Sequence, residues 1–184
     1  MILSGLILKT FGWKFKGKFP DIDKSVTIFA PHTSAWDFVL GILYFNEHGV
    51  KNNTLVKKEV FFFPMNLIMK SLGAIPVDRK NRNNNVVSQV ASSFHQHKKF
   101  NLVVSAEGTR RKVTHWKRGF YYIAKEAGVP IVISSVDYKR KVIEIHGIVR
   151  DTSDIKKTMI EINEIYRNVK GRHPERFSLD NRFK

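Results

Sequence analysis

A histidine and an aspartate five residues apart, His32 and Asp37, form the strongest chemical pairing in the chain. They sit in Pro31-His32-Thr33-Ser34-Ala35-Trp36-Asp37, between the apolar runs 26–30 and 38–43. An imidazole titrates near neutrality and can take a proton from an alcohol at physiological pH. A carboxylate on one ring nitrogen fixes the tautomer and stabilises the imidazolium as it forms. The same residues carry a plainer reading. Ser34-Ala35-Trp36-Asp37 fits a capping box, in which Asp37 serves only backbone amides at a helix start and His32 is an ordinary loop residue. On this stretch alone both readings stand.

The elements around the pair decide whether it sits where chemistry happens. The run Val26 to Ala30 predicts a strand that stops at Pro31, and Trp36 to Glu47 predicts a helix, apolar nearly all round and expected to be buried. His32 then occupies a strand-to-helix turn, the usual place for functional groups in α/β folds. Further strands are predicted at 13–17, 54–57, 74–77, 102–105, 130–137 and 142–148, and further helices at 2–11, 64–72, 86–97, 120–126 and 155–166. Helices and strands alternate until a late hairpin at Tyr138-Lys139-Arg140. The pattern predicts a single α/β domain over residues 1–184, with a mixed, mostly parallel sheet flanked by helices. Parallel strands would bring three polar strand ends to one rim: His32, Asp78-Arg79 and Glu107-Gly108-Thr109-Arg110.

Composition narrows the chemistry. The 184 residues carry a formal net charge of +16 and no cysteine. Disulfides, thiol nucleophiles and cysteine-bound metals are excluded. The charge calls for an acidic partner, such as an anionic membrane, a phosphorylated metabolite, an acidic protein or a nucleic acid. No stretch approaches the roughly 20 apolar residues of a membrane span. Met1 to Leu8 is apolar but lacks the features of a secretory signal. Ile2, Leu3, Leu6, Ile7 and Phe11 repeat at helical spacing and run into alternating lysines and aromatics, which suits a helix lying in a membrane interface. A first helix packed on the core is the alternative. The region Phe61-Phe62-Phe63 with Met65, Leu67, Ile68 and Met69 reads as an acyl-chain groove or as core. Lys57 and Lys58 read as a solvated strand end or as phosphate ligands. The run Asn81 to Asn85 is a predicted loop, His95 and His97 a surface pair, and the tail 171–184 a basic surface segment.

The arginines beside two of the strand ends point to phosphate. Arg79 closes Gly73-Ala74-Ile75-Pro76-Val77-Asp78-Arg79, and Arg110 follows a glycine turn with a hydroxyl at Thr109. Guanidinium groups bind phosphate bidentately, and amides of a glycine turn add donors. The plain alternatives are surface charge for the arginines, an ion pair for Glu107 and a turn hydroxyl for Thr109.

Taken in order over about residues 13–138, these segments resemble the glycerolipid acyltransferases, the group of 1-acylglycerol-3-phosphate acyltransferases and their relatives. His32-Thr33-Ser34-Ala35-Trp36-Asp37 is similar to that family's H-x-x-x-x-D motif. The segments 73–79, Glu107-Gly108-Thr109-Arg110 and Val129-Pro130-Ile131-Val132 are similar to its second, third and fourth blocks. Trp116-Lys117-Arg118-Gly119-Phe120 resembles small bacterial members, with helix packing as its expected role. Two features depart from the pattern. Pro31 stands where the family often has asparagine, and Ser105-Ala106 stand where it often has phenylalanine-proline.

The resemblance implies a glycerol-3-phosphate acyltransferase-like fold and O-acyl transfer in phospholipid synthesis. The donor would be acyl-CoA or acyl-carrier protein, and the acceptor a lysophospholipid, with lysophosphatidic acid first and a lyso-aminolipid as the alternative. It makes His32 the general base, Asp37 its orienting acid, and Arg79, Glu107, Gly108, Thr109 and Arg110 the lining of the acceptor's phosphate site. It implies no metal and no cofactor. The chain is short for the family and carries no long N-terminal anchor, so the expected location is peripheral, on the cytoplasmic face of a membrane. The contrasting possibility is a non-catalytic basic module on a membrane or a nucleic acid. That reading leaves the four ordered blocks unexplained, so no nucleic-acid partner is expected.

Overall fold

The computed structural model describes residues 2–78 and 86–183. The expected Asn81–Asn85 loop and Arg79 lie outside them. The chain runs α1 (Ile2–Thr10), β1 (Lys14–Lys16), β2 (Lys24–Ala30), α2 (Trp36–Glu47), β3 (Asn52–Lys57), α3 (Met65–Ser71), β4 (Ala74–Val77) and α4 (Val86–Gln96). It continues through β5 (Phe100–Val104), α5 (Gly119–Ala127), β6 (Ile131–Asp137), β7 (Val142–Val149) and α6 (Ile155–Tyr166). Seven strands form one sheet in the order β1-β7-β6-β2-β5-β3-β4.

Strands β6, β2, β5, β3 and β4 are parallel neighbours, β7 returns antiparallel to β6, and β1 adds to the far edge parallel to β7. The α/β architecture with a mostly parallel, mixed sheet is therefore the one the sequence predicts. Central β2 is buried from Ser25 to Ala30, as the near-continuous apolar run of a doubly covered strand requires.

Alternation along β2 divides the core. Val26, Ile28 and Ala30 pack with residues of α4, α5 and α6, among them Phe94, Phe120, Ile123, Met159, Ile162 and Tyr166. Phe29 faces the opposite layer with Leu8, Leu40, Tyr44 and Phe45. Helix α2 buries only the side toward the sheet and α1. Asp37, Leu40, Gly41, Tyr44 and Phe45 are buried, while Trp36 is 55% and Val39 39% exposed. The all-round burial expected of this helix is thus not found, because α2 is covered by the sheet and α1 on one side and leaves Trp36 and Val39 in solvent.

Helix α1 packs against α2, where the Gly5 N–H donates to Glu47 Oε2 at 2.9 Å. Leu8 is buried, yet Leu6 and Phe11 stand in solvent. The region after β3 is not core. Phe62, Phe63, Leu67 and Ile68 are 59%, 80%, 60% and 50% exposed. The C-terminal tail exposes Arg172, Glu175 and Arg176 but is anchored at buried Gly171 and Asp180. No helix among the described residues is long and apolar enough to cross a membrane.

Candidate active site

Parallel pairing brings the C-terminal ends of β2, β5 and β6 together. Ala30 lies opposite Ser135 of β6, and Ile28 opposite Val104 of β5. The next residues along each strand therefore share one rim: His32 after β2, Glu107 after β5 and Tyr138 after β6.

Asp37 is the fixed point of this rim. Its side chain is fully buried, and its Oδ2 lies 3.3 Å from Nδ1 of His32. The same Oδ2 accepts the N–H groups of Thr33 and Ser34 at 2.7 and 2.8 Å. Ser34 Oγ in turn accepts the N–H of Trp36 at 3.2 Å. The capping and histidine readings of Asp37 are thus not exclusive. The cap closes the turn, and the closed turn carries the imidazole to the carboxylate. Oδ1 is taken by a different residue, the hydroxyl of Tyr138, which donates at 2.7 Å. Burial, the hydrogen bond to Asp37 and its charge all push the Tyr138 phenol well above its ordinary range, so it stays a donor.

Glu107 holds the other side of the turn. Its Oε1 accepts the backbone N–H of His32 at 2.7 Å, and its Oε2 accepts the Ser105 hydroxyl at 2.7 Å. Burial pushes the Glu107 carboxyl above the usual carboxylate range, and the Ser105 and His32 donors counter only part of that. Ser105 is one of the residues that depart from the resembled pattern, and here it supplies a donor to the carboxylate.

The remaining candidates spread outward. Gly108 has φ +66°, and a Cβ there would lie 2.9 Å from Lys117 Cγ, so the turn after Glu107 is suited to glycine. Thr109 Oγ1 accepts the Arg111 N–H at 3.3 Å, the turn-hydroxyl arrangement. Arg110 is exposed and pairs with no described residue. The structure thus joins His32, Asp37 and Glu107 in one hydrogen-bonded and electrostatic unit and leaves Arg110 at its edge. Lys57 and Lys58 are solvent-exposed at the end of β3. His97 Nδ1 is 2.9 Å from the Ser93 carbonyl on the exposed side of α4. Trp116 is core, its indole N–H donating to the Ser178 carbonyl at 2.9 Å.

Tyr138 is the site residue that the sequence reading passed over. It appears there only as part of a hairpin turn. The signal was present, since it follows a strand predicted to end on the same rim.

Comparison with known proteins adds to this geometry. No curated protein sequence matches the chain. Its fold is similar to the crystal structure of PlsC, the 1-acyl-sn-glycerophosphate (LPA) acyltransferase from Thermotoga maritima. That likeness has a TM-score of 0.62 and 17% identity, and covers 88% of this chain and 73% of that one. The family model described as Acyltransferase matches residues 15–136, a span that holds β2, the His32–Asp37 turn, Glu107 and most of β6, and the chain belongs to the acyltransferase family.

Proposed function

We propose that this acyltransferase moves a fatty acyl group from acyl-CoA or acyl-carrier protein to the hydroxyl of a lysophospholipid, with lysophosphatidic acid as the first acceptor. The observation that carries the reading is Nδ1 of His32 at 3.3 Å from a buried carboxylate, on a side chain still 26% exposed. With Nδ1 turned to Asp37, Nε2 is the nitrogen that takes the proton of the acceptor hydroxyl. The hydroxyl oxygen attacks the thioester carbonyl and the C–S bond breaks. The departing thiolate receives the proton from the imidazolium, and no acyl-enzyme forms.

In this reading Glu107 acts by fixing the backbone of His32, since both its oxygens are engaged inward. Arg110 and, outside the described residues, Arg79 take the acceptor phosphate beside the amides of the Gly108-Thr109 turn. No metal and no cofactor takes part.

The protein works at the surface of an anionic bilayer, attached peripherally. Phe62 and Phe63 follow the C-terminal end of β3, the same end of the parallel sheet as the His32 turn, with exposed Lys57 and Lys58 before them and exposed Lys70 within α3. Apolar side chains enter the interface while lysines meet lipid phosphates, at about 1 kcal/mol each.

The test is transfer of labelled acyl groups by purified protein from acyl-CoA and, separately, acyl-carrier protein to lysophosphatidic acid and a panel of other lysolipids, lyso-aminolipids included. Turnover greatest with lysophosphatidic acid supports the reading. Turnover with a lyso-aminolipid and none with lysophosphatidic acid overturns the acceptor assignment.

A further inference from the structure

Beyond the family-matched segment, the chain returns to the catalytic turn. After α6, the Lys170 carbonyl accepts the Tyr138 N–H at 2.8 Å. Three residues later, the His173 N–H donates to Thr33 Oγ1 at 3.2 Å. Gly171 is buried between these two anchors. A Cβ on it would lie 2.8 Å from Thr33 Oγ1 and 3.1 Å from Pro31 Cβ, so the approach depends on glycine. The strap therefore touches residues on either side of His32 and also Tyr138, the partner of Asp37.

Arg172 is the one residue of this strap held between both anchors with its side chain in solvent. Its guanidinium carbon lies 5.7 Å from the ring centroid of Trp36, the residue before Asp37. That is cation–π range, and stacking on the ring face leaves the N–H edge of the guanidinium open. Among the described residues no carboxylate pairs with it. Its charge reaches the Tyr138 hydroxyl, where it opposes the upward push of burial and Asp37. An arginine fixed at a catalytic turn, with its side chain in solvent and no carboxylate partner among the described residues, is arranged for an anion that arrives with the substrate.

We propose that Arg172, stacked on Trp36 by the C-terminal strap, binds a phosphate group of the substrate at the His32 site. The inference rests on the acyl-transfer reading above. Two phosphates fit the chemistry, the phosphomonoester of the acceptor and the phosphates of CoA.

Paired substrates separate them. Lysophosphatidic acid is compared with the monoacylglycerol of the same chain, and acyl-CoA with the N-acetylcysteamine thioester of the same acyl group. Arg172→Ala is expected to raise KM for one phosphate-bearing partner roughly tenfold or more relative to its phosphate-free counterpart, with kcat little changed. Arg172→Lys, which keeps charge but not the fork, recovers part of that. The arm in which KM moves identifies the phosphate. An equal effect on phosphate-bearing and phosphate-free substrates, or a fall in kcat alone, overturns the proposal.

A second readout needs no turnover. Trp13 and Trp116 are 8% and 2% exposed, so quencher-accessible tryptophan fluorescence reports Trp36. Glycerol 3-phosphate or CoA should shield Trp36 in the wild type and not in Arg172→Ala, and glycerol should do nothing. Shielding without any acyl transfer sinks the functional reading and keeps Arg172 as an anion site. His32-dependent transfer with Arg172→Ala indistinguishable from wild type in both readouts sinks Arg172 alone.

Discussion

Tyr138 and Asp37, 101 residues apart in the chain, meet at 2.7 Å with the phenol donating to Oδ1. Asp37 therefore faces His32 through one oxygen and Tyr138 through the other, with the backbone amides of Thr33 and Ser34 fixing the first. Removing the phenol leaves Oδ1 without its donor and the carboxylate held only through Oδ2, which loosens its orientation toward the imidazole. A hydrogen bond to a charged group contributes about 1.5–3 kcal/mol, so Tyr138→Phe should lower kcat roughly ten- to a hundredfold. KM should be nearly unchanged. Steady-state kinetics of the variant checks this, and an unchanged kcat argues against a role for the phenol.

Glu107 should behave as a brace. Glu107→Ala leaves the His32 N–H without its acceptor inside a buried turn, at about 1–3 kcal/mol. The expected result is a fall in kcat of up to roughly a hundredfold with folding retained. Glu107→Gln keeps an oxygen for His32 and places an amide beside Ser105, so most of the activity should return. If Glu107→Gln is as damaged as Glu107→Ala and loses affinity for phosphorylated acceptors, the carboxylate acts on substrate instead.

The tail is fastened by charge. The Arg182 Nη2 atom is 2.6 Å from Asp180 Oδ2, and the Trp116 N–H donates to the same oxygen. Burial alone would push the Asp180 carboxyl up, but hydrogen bonds from the Arg182 side chain and backbone and from Trp116, with the guanidinium charge, hold it below the usual range. As pH falls, the unfolded chain protonates Asp180 before the folded one does. The stabilisation is thus complete above the ordinary aspartate range, near pH ~3.9, and is lost as pH falls through the lower folded-state value. Asp180→Ala should cost about 3 kcal/mol at neutral pH in urea unfolding. The gap to wild type should close in acid, and a gap independent of pH would rule out the ionised carboxylate as its source.

Legibility followed sequence distance. The spacing of His32 and Asp37 is local, and so is the capping turn that joins them, so the pair could be read directly. The α/β alternation was equally local. Tyr138 and Gly171 reach the site only because β6 lies beside β2 and the tail folds back across the rim. Neither contact leaves a periodic trace in the chain. Phe62 and Phe63 show a different limit. Apolar composition is the same for core and for an exposed rim, and only the packing separates them.

That rim gives a membrane prediction. Burial of a phenylalanine side chain contributes about 1.5–3 kcal/mol when complete. Replacing Phe62 and Phe63 together by serine should weaken binding to anionic vesicles at least roughly tenfold. Vesicle sedimentation measures it. The residual binding should still fall with salt, because the lysines remain. Undiminished sedimentation of the double variant would move the contact surface elsewhere, with α1 the next place to test.

The most direct test of the account is the acyl-transfer assay run with wild type beside His32→Ala. General-base catalysis supplies roughly a hundredfold or more. The prediction is transfer by the wild type and at least that loss in the variant, with the fold intact by circular dichroism. Equal turnover by the two proteins would contradict His32 as the base, and with it the mechanism built on the His32–Asp37 turn.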